Sequence, residues 1–477
     1  MSPSSLPESW RFDGRLVMVG FGCIGQGVLP LLLRHLKMRP DRLLVLAPEQ
    51  GLGDYAAMTE AAGVRYLPLA LTPENYQQAL DGQLSAGDFL LNLSVNVSSV
   101  ALIGWCQAHG VLYLDTCIEP WLGGYIDPAL GLAERTNYAL REAALALRHK
   151  PSRGPTALLT HGANPGLVSH FVKQALLTLA RDQGLPDAQP CGQQEWAGLA
   201  ERLDVRVIHI AERDTQSGGP RKQLNEFVNT WSVEAFVDEG RQPAELGWGS
   251  HERALPADGR RHQAGSQAAI YLQRPGAATR VRSWTPLSGP MHAFLITHAE
   301  SISIANYLTL GDPARPRYRP TVHYAYHPCD DAVLSLHELA GRNWQLQSRE
   351  RVLKEEISSG IDELGVLLMG HASGAYWYGS RLSIGRAREL CPHNSATSLQ
   401  VTAAVLAGVL WAIRKPDQGL LEPDELPFEE IIGLCGPYLG EMVGAYSDWT
   451  PLQGRGWLFD ETLDLDDPWQ FCNFRVT

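Results

Sequence analysis

Three short stretches of this 477-residue chain gather residue types that can bind cations and move protons. The first is His209-Ile210-Ala211-Glu212-Arg213-Asp214-Thr215. The second is Asn229-Thr230-Trp231-Ser232-Val233-Glu234, with Glu239 shortly after. The third is His292, followed by Thr297-His298-Ala299-Glu300-Ser301. Glu212 and Glu239 can hold ammonium groups. The Trp231 face can take a cation, a contact of ~0.5–2 kcal/mol that is strongest when desolvated. Each residue type also has a structural use. Arg213 can pair with Glu212 or Asp214 in a solvated ion pair, and a single tryptophan is commonly core. His323, His327, Cys329 and Asp330 in TVHYAYHPCDD are metal-ligand types. His-x-x-x-His puts both rings on one face only of a helix, which the aromatics and Pro328 oppose, so no metal is expected. Asp362 in GIDELG and the run Tyr376-Trp377-Tyr378 complete the candidates.

A separate signal lies near the N-terminus. Leu16-Val17-Met18-Val19 is an apolar run of buried-strand length. Gly20-Phe21-Gly22-Cys23-Ile24-Gly25, a G-x-G-x-x-G, follows it, and then an apolar helical run from Val28. Between strand and helix this spacing predicts a dinucleotide site. Gly20 permits the tight turn, Gly22 lets backbone approach a pyrophosphate, and Gly25 lets the helix pack close to the strand. The amides at Cys23 and Ile24 open the helix toward phosphate. The second strand, Arg42–Leu46, should end in an acid for the ribose hydroxyls; Ala47 stands there, with Glu49 two residues on. No arginine is placed for a 2′-phosphate, so NAD is preferred to NADP. Later strands end in polar groups that can meet the cofactor: Ser94 and Asn96 in NLSVNVSS, Thr116 in DTCIEPW, and Asn164 in HGANPG. Ser98 or Ser99 capping a helix, and Asn164 capping a turn, are equally good uses.

The alternation of strands and helices over the first ~150 residues predicts a Rossmann-type α/β domain. We place it at 1–165. Mixed, aromatic-rich segments suggest an α+β substrate and dimerisation domain at 166–395. A C-terminal segment, 396–477, returns to the nucleotide domain through the small-residue helix ATSLQVTAAVLAGVLWAI, its last ~60 residues wrapping the surface. The formal net charge of −12 gives no electrostatic case for nucleic acid or anionic lipid. No run reaches the ~18 consecutive apolar residues of a membrane span, and no signal-peptide core is present. The eight cysteines include no C-x-x-C. A cytoplasmic protein with reduced thiols is the expectation.

Several long, chemically unusual stretches carry a further signal: VGFGCIG, NLSVN, DTCIEPWLG, HGANPG, HIAERDTQ, VNTWSVE, PAELGWG, THAESISIA, YRPTVHYAYHPCDDAVLSLHE, GIDELGVLL, AYWYGS and SDWTPL. By these the chain resembles the bacterial homospermidine synthases over essentially its full length. The resemblance implies a saccharopine dehydrogenase-like fold and a homodimer. It implies that NAD is recycled within one turnover while putrescine, or spermidine as donor, passes its aminobutyl group to a second amine through imines. It also implies that Trp231 is the cation–π residue and that Glu212 and Glu239 bind amines. His298 and Asn164 would line the reaction centre, and Glu119 and Asp362 the substrate path. A diamine carries two ammonium groups, so a base is needed at the reacting one and a carboxylate anchor at the other.

Two positions depart from the family pattern. Asn96 stands where LSVD is usual, and an amide cannot act as base. Ala47 leaves the ribose contact in doubt. The alternatives are a saccharopine- or carboxynorspermidine-type NAD(P)-dependent imine reductase, whose carboxylate-bearing substrates call for Arg or Lys, and a non-catalytic NAD-binding regulator.

Overall fold

The structure is a computed structural model and describes residues 9–48, 52–148, 153–185 and 187–476. The chain forms two compact units. The first comprises residues 1–128, 139–167 and 385–439, the second 129–138, 168–384 and 440–477.

In the first unit six strands follow in chain order: β1 (Leu16–Val19), β2 (Leu43–Ala47), β3 (Arg65–Pro68), β4 (Phe89–Asn92), β5 (Leu112–Asp115) and β6 (Gly154–Leu158). With Gln418–Leu421 they make a seven-stranded parallel sheet, ordered Gln418–Leu421, β6, β5, β4, β1, β2, β3. β1, β2, β4 and β5 are buried throughout, as continuous apolar runs in a parallel sheet must be. The chain reverses its progress across the sheet between β1 and β4. That reversal opens a crevice at their carboxyl ends. The helix Ala396–Arg414 packs back into this unit, as its small residues predict. A Cβ on Gly27 would lie 2.4 Å from Asn394 Oδ1, and one on Gly408 2.6 Å from Leu114 Cδ1. Its length and apolar character would suffice to cross a bilayer, but 89% of its apolar window is buried inside the protein.

The second unit is built on an eleven-stranded mixed sheet. Its main path uses β7 (Val207–Asp214), β8 (Pro243–Gly247), β9 (Gly259–Arg261), β10 (Ala269–Pro275), β11 (Thr321–His327), β12 (Ile361–Met369), β13 (Ala375–Ser383) and β14 (Glu441–Ser447). The order is β9-β10-β8-β11-β7-β12-β13-β14. β11 runs parallel to β7 with Tyr326 opposite Glu212, and β12 runs antiparallel to β7 with Asp362 opposite Asp214. Strand alternation then sorts the side chains. Glu212, Asp214, Tyr324, Tyr326 and Asp362 share one face. His209, Ala211, His323 and Leu367 share the other, where an apolar core contains Trp377, Trp449, Trp469 and Phe474.

That core corrects the expected C-terminal segment. Residues 440–477 do not return to the nucleotide unit or merely wrap a surface; only 385–439 return. β14 extends the second sheet beside β13, Arg475-Val476 pairs with the strand Arg280–Thr285, and Trp449, Trp469 and Phe474 complete the core. Burying these aromatics ties the tail to the second unit. The exposed part of the tail is the stretch around Trp457, Leu458, Phe459 and Leu465.

TVHYAYH is strand, so its histidines alternate with the tyrosines instead of presenting ligands on a helix. His323 is fully buried and stacks against His209 with ring centroids 4.0 Å apart. His209 Nδ1 lies 3.0 Å from Ser283 Oγ. Burial depresses His323 to about 3, and burial together with His323 pulls His209 well below its usual value. Both rings are neutral near pH 7. The unfolded chain therefore binds more protons below pH ~6.5, and stability falls with acidification by up to ~1.4 kcal/mol per pH unit for each ring. His323→Leu should flatten that slope between pH 7 and 5 in urea denaturation. A slope equal to wild type would mean the pair does not govern acid stability.

Candidate functional site

Two sets of functional side chains emerge, one in each unit. In the first unit the loop after β1 has Gly20 at φ +89°, and a Cβ there would lie 2.6 Å from Leu93 O. Only glycine fits that turn without strain. A Cβ on Gly25 would lie 2.8 Å from Gly20 O, which explains the close seating of the helix Cys23–His35. Gly22 is different: nothing lies within 4 Å of a Cβ built there, and its backbone is exposed. It is the N-cap of the helix, without a side-chain capping bond, and no acid occupies the first turn. The arrangement leaves an open, positively polarised helix start at the crevice.

The β4 and β5 ends are cross-linked there. Ser94 Oγ donates to Asn92 Oδ1 at 2.5 Å, Asn92 Nδ2 donates to the Tyr113 hydroxyl at 3.3 Å, and that hydroxyl donates to Asp115 Oδ2 at 2.8 Å. Burial raises Asp115 to about 7, against the lowering effect of the Thr160 amide and Tyr113. Glu119 is buried and accepts the Asn96 amide at 3.3 Å. Its own amide donates to Ser99 Oγ at 3.1 Å. Ser98, not Ser99, caps the helix, accepting from the Ala101 amide. Asn96 has φ +63°, a left-handed position that asparagine tolerates better than most residues. Thr116 and Asn164 lie in loops of the same unit. Thr116 abuts Gly162, and the Gly162 amide donates to Pro165 O at 2.8 Å, folding the Asn164 turn tightly. Glu49 lies outside the described residues.

In the second unit the shared face of the sheet meets two helices, Val233–Arg241 and Ala299–Tyr307. Ser232 caps the first by accepting the Ala235 amide. This puts Trp231 just before the helix and Glu239 two turns into it. His298 caps the second helix and reaches Glu239 Oε2 at 3.1 Å and Glu300 Oε1 at 3.2 Å. Burial alone would depress the ring, but Glu300 and Glu239 raise it to about 10. His298 is thus a buried imidazolium at neutral pH. Tyr324 stacks near it, ring centroids 4.5 Å apart, and donates its hydroxyl to Glu212 Oε2 at 2.5 Å. Tyr326 lies parallel to Tyr324 at 5.2 Å and accepts the Trp231 indole N–H at 3.2 Å. Burial, then the nearby Glu212, push both phenols well above their ordinary value, so they stay protonated. Asp214 holds Thr230 Oγ1 and the Gln216 amide, each at 2.7 Å, and burial raises it.

Five candidates, Glu212, Trp231, Glu239, His298 and Asp362, therefore come together. His209 is on the opposite face, and Glu234 is exposed. Arg213 forms its ion pair with Asp330 at 3.2 Å and donates to the backbone carbonyl of its neighbour Asp214. Trp377 is core and donates to Ala211 O. Glu300 of the third cluster joins the five, and so do Tyr324 and Tyr326, to which the sequence alone assigns no role. The signal for the two tyrosines is the alternation His-Tyr-Ala-Tyr-His, legible only once the stretch is known to be a strand.

Known proteins resemble this chain throughout. Residues 16–158 match the saccharopine dehydrogenase NADP binding domain, and 162–447 the saccharopine dehydrogenase C-terminal domain. The homospermidine synthase of Blastochloris viridis is 52% identical, covering 98% of this chain and 99% of that one. That of Mesorhizobium japonicum is 48% identical, covering 100% and 99%. The crystal structure of homospermidine synthase from Legionella pneumophila in complex with NAD superposes with a TM-score of 0.91 at 48% identity, covering 98% and 99%.

The His298 charge state is directly measurable. Ring ¹⁵N shifts should show both nitrogens protonated at pH 8, and Glu239→Gln should lower the titration midpoint. A neutral tautomer at pH 8 would overturn the ion-pair assignment.

Proposed function

This chain belongs to the homospermidine synthase family, and from that premise we propose that it is an enzyme transferring the aminobutyl group of putrescine to a second putrescine. The products are homospermidine and ammonia. Spermidine is an alternative donor, releasing 1,3-diaminopropane. The observation that carries this reading is the convergence of Glu212, Glu239 and Asp362 on one buried face beside the Trp231 indole.

We propose NAD as the cofactor. The residues fit it: the open surround of Gly22, the close packing at Gly20 and Gly25, and the uncapped helix start at Cys23 and Ile24 form a backbone cradle for a pyrophosphate. Ser94, Asn96, Thr116 and Asn164 lie in loops of that unit, and Glu49 is our candidate for the ribose. The bound nicotinamide supplies a hydride acceptor that becomes a donor, so the net transfer is redox-neutral.

The protein groups divide the remaining work. Glu239 and Glu212 bind ammonium ends by charge-assisted hydrogen bonds. Trp231 offers its π-face to cationic iminium carbon and nitrogen. His298 already carries a proton, so accepting one from the reacting ammonium falls to a carboxylate. Asp362 adds negative charge on the same face of the second unit as Glu212. A carboxylate-bearing substrate would face Glu212, Asp214, Glu300 and Asp362, all at most 2% exposed. That disfavours the imine-reductase alternative. We also propose a cytoplasmic homodimer.

The test is to incubate the protein with putrescine and NAD, separate the polyamines and follow NADH absorbance. Homospermidine and ammonia without net NADH are expected. NADH without a longer polyamine would indicate a dehydrogenase, and NAD binding with no product a regulator. Trp231→Ala should lose most activity with NAD binding intact, and Trp231→Phe should keep part. Wild-type activity in Trp231→Ala would exclude the cation–π role. Gly22→Val should abolish NAD binding with a melting temperature near wild type. Gly20→Ala should instead lower the melting temperature, because its Cβ meets backbone.

A further inference from the structure

We propose that Tyr324 and Tyr326 act as a stacked pair of positioning residues, Tyr324 for the Glu212 carboxylate and Tyr326 for the Trp231 indole. The inference rests on the amine-binding reading of that face.

The two rings lie one above the other on β11, with a 12° interplanar angle and centroids 5.2 Å apart. Each reaches a different amine-binding group. The Tyr324 hydroxyl donates to Glu212 Oε2 at 2.5 Å. A hydrogen bond to a carboxylate fixes its orientation. The other side of Tyr324 supports the His298 ring, 4.5 Å away between centroids. Tyr326 accepts from Trp231 Nε1 at 3.2 Å, and Phe236 packs against both rings, 5.2 Å from Trp231 and 5.6 Å from Tyr326. The indole therefore has one polar anchor and one apolar wall. A π-face binds a cation only when held at the right angle, and an indole without its hydrogen bond can turn about two torsions. Burial first, and then the nearby Glu212, Asp214 and Asp362, keep the Tyr326 phenol protonated. It is thus a fixed neutral acceptor and carries no charge of its own to compete with the substrate. The strand register sets both contacts at once, because Tyr326 lies opposite Glu212 and Tyr324 opposite Ile210.

The test uses the full-length protein with NAD and putrescine, once wild type has been shown to make homospermidine. If wild type fails, the amine reading falls, independently of the positioning roles. Tyr324→Phe should raise the KM for putrescine about tenfold with kcat near wild type, as Glu212 loses the donor that orients it. Tyr326→Phe should instead leave that KM near wild type and lower kcat about tenfold, as the indole loses the hydrogen bond that holds its π-face in place. With ¹⁵N-tryptophan labelling, the Nε1–H signal that Trp231→Phe removes should be slow to exchange in wild type and fast in Tyr326→Phe. The wild-type exchange reading stands even where a variant is unstable. An unchanged putrescine KM in Tyr324→Phe, or a fast-exchanging Trp231 indole in wild type, would overturn the proposal.

Discussion

The second unit depends on the in-register pairing of two parallel strands, Thr321–His327 with Val207–Arg213. Because side chains alternate, a shift of one residue would send Glu212 and Asp214 into the aromatic core and His209 toward the helices. The register is held by the opposite face. There Ala211, Trp377, Trp449 and Phe474 bury apolar surface that a slipped strand would expose. A hydrophobic core on one side of the sheet thus fixes the position of charge on the other.

Burying that charge is costly. Glu212, Asp214, Glu300 and Asp362 are almost wholly removed from water, and an uncompensated buried carboxylate is unfavourable by several kcal/mol. The protein offsets this in two ways. Neutral donors, Tyr324 on Glu212 and Thr230 on Asp214, satisfy oxygen atoms without adding charge. The His298 imidazolium between Glu239 and Glu300 adds one positive charge. An ammonium would meet this same field of carboxylates, so under the proposed function the groups whose burial is costly are also those that would recognise a diamine.

The first unit solves a different problem by simpler means. Its strands β1, β2, β4 and β5 are buried on both faces, and Asn92 and Asp115 stand at the strand ends. Asn92, Tyr113 and Asp115 tie β4 to β5, while Gly20 and Gly25 bring loop and helix close enough to leave the Gly22 surround open. Asn96 illustrates how one position answers to the backbone as well as to chemistry. Its left-handed conformation suits asparagine, and its backbone amide reaches Glu119.

The local features were legible in the sequence because their causes are local. The apolar run, the glycine spacing and the strand-helix alternation determine the nucleotide unit from φ/ψ limits and periodicity. The small residues of Ala396–Arg414 likewise announce a helix that packs closely. The types Glu212, Trp231, Glu239 and His298 pointed to cation binding, and the family motifs to a homospermidine synthase. Only the tertiary structure decided that these side chains converge while His209 does not, that Arg213 serves Asp330, and that residues 440–477 complete the second core. Those outcomes depend on strand register and on pairings between residues more than a hundred positions apart, which no local pattern encodes. The charge of His298 belongs with them. A histidine's proton is held or lost according to the carboxylates that folding brings to it, and here folding brings Glu239 from a helix some sixty residues upstream.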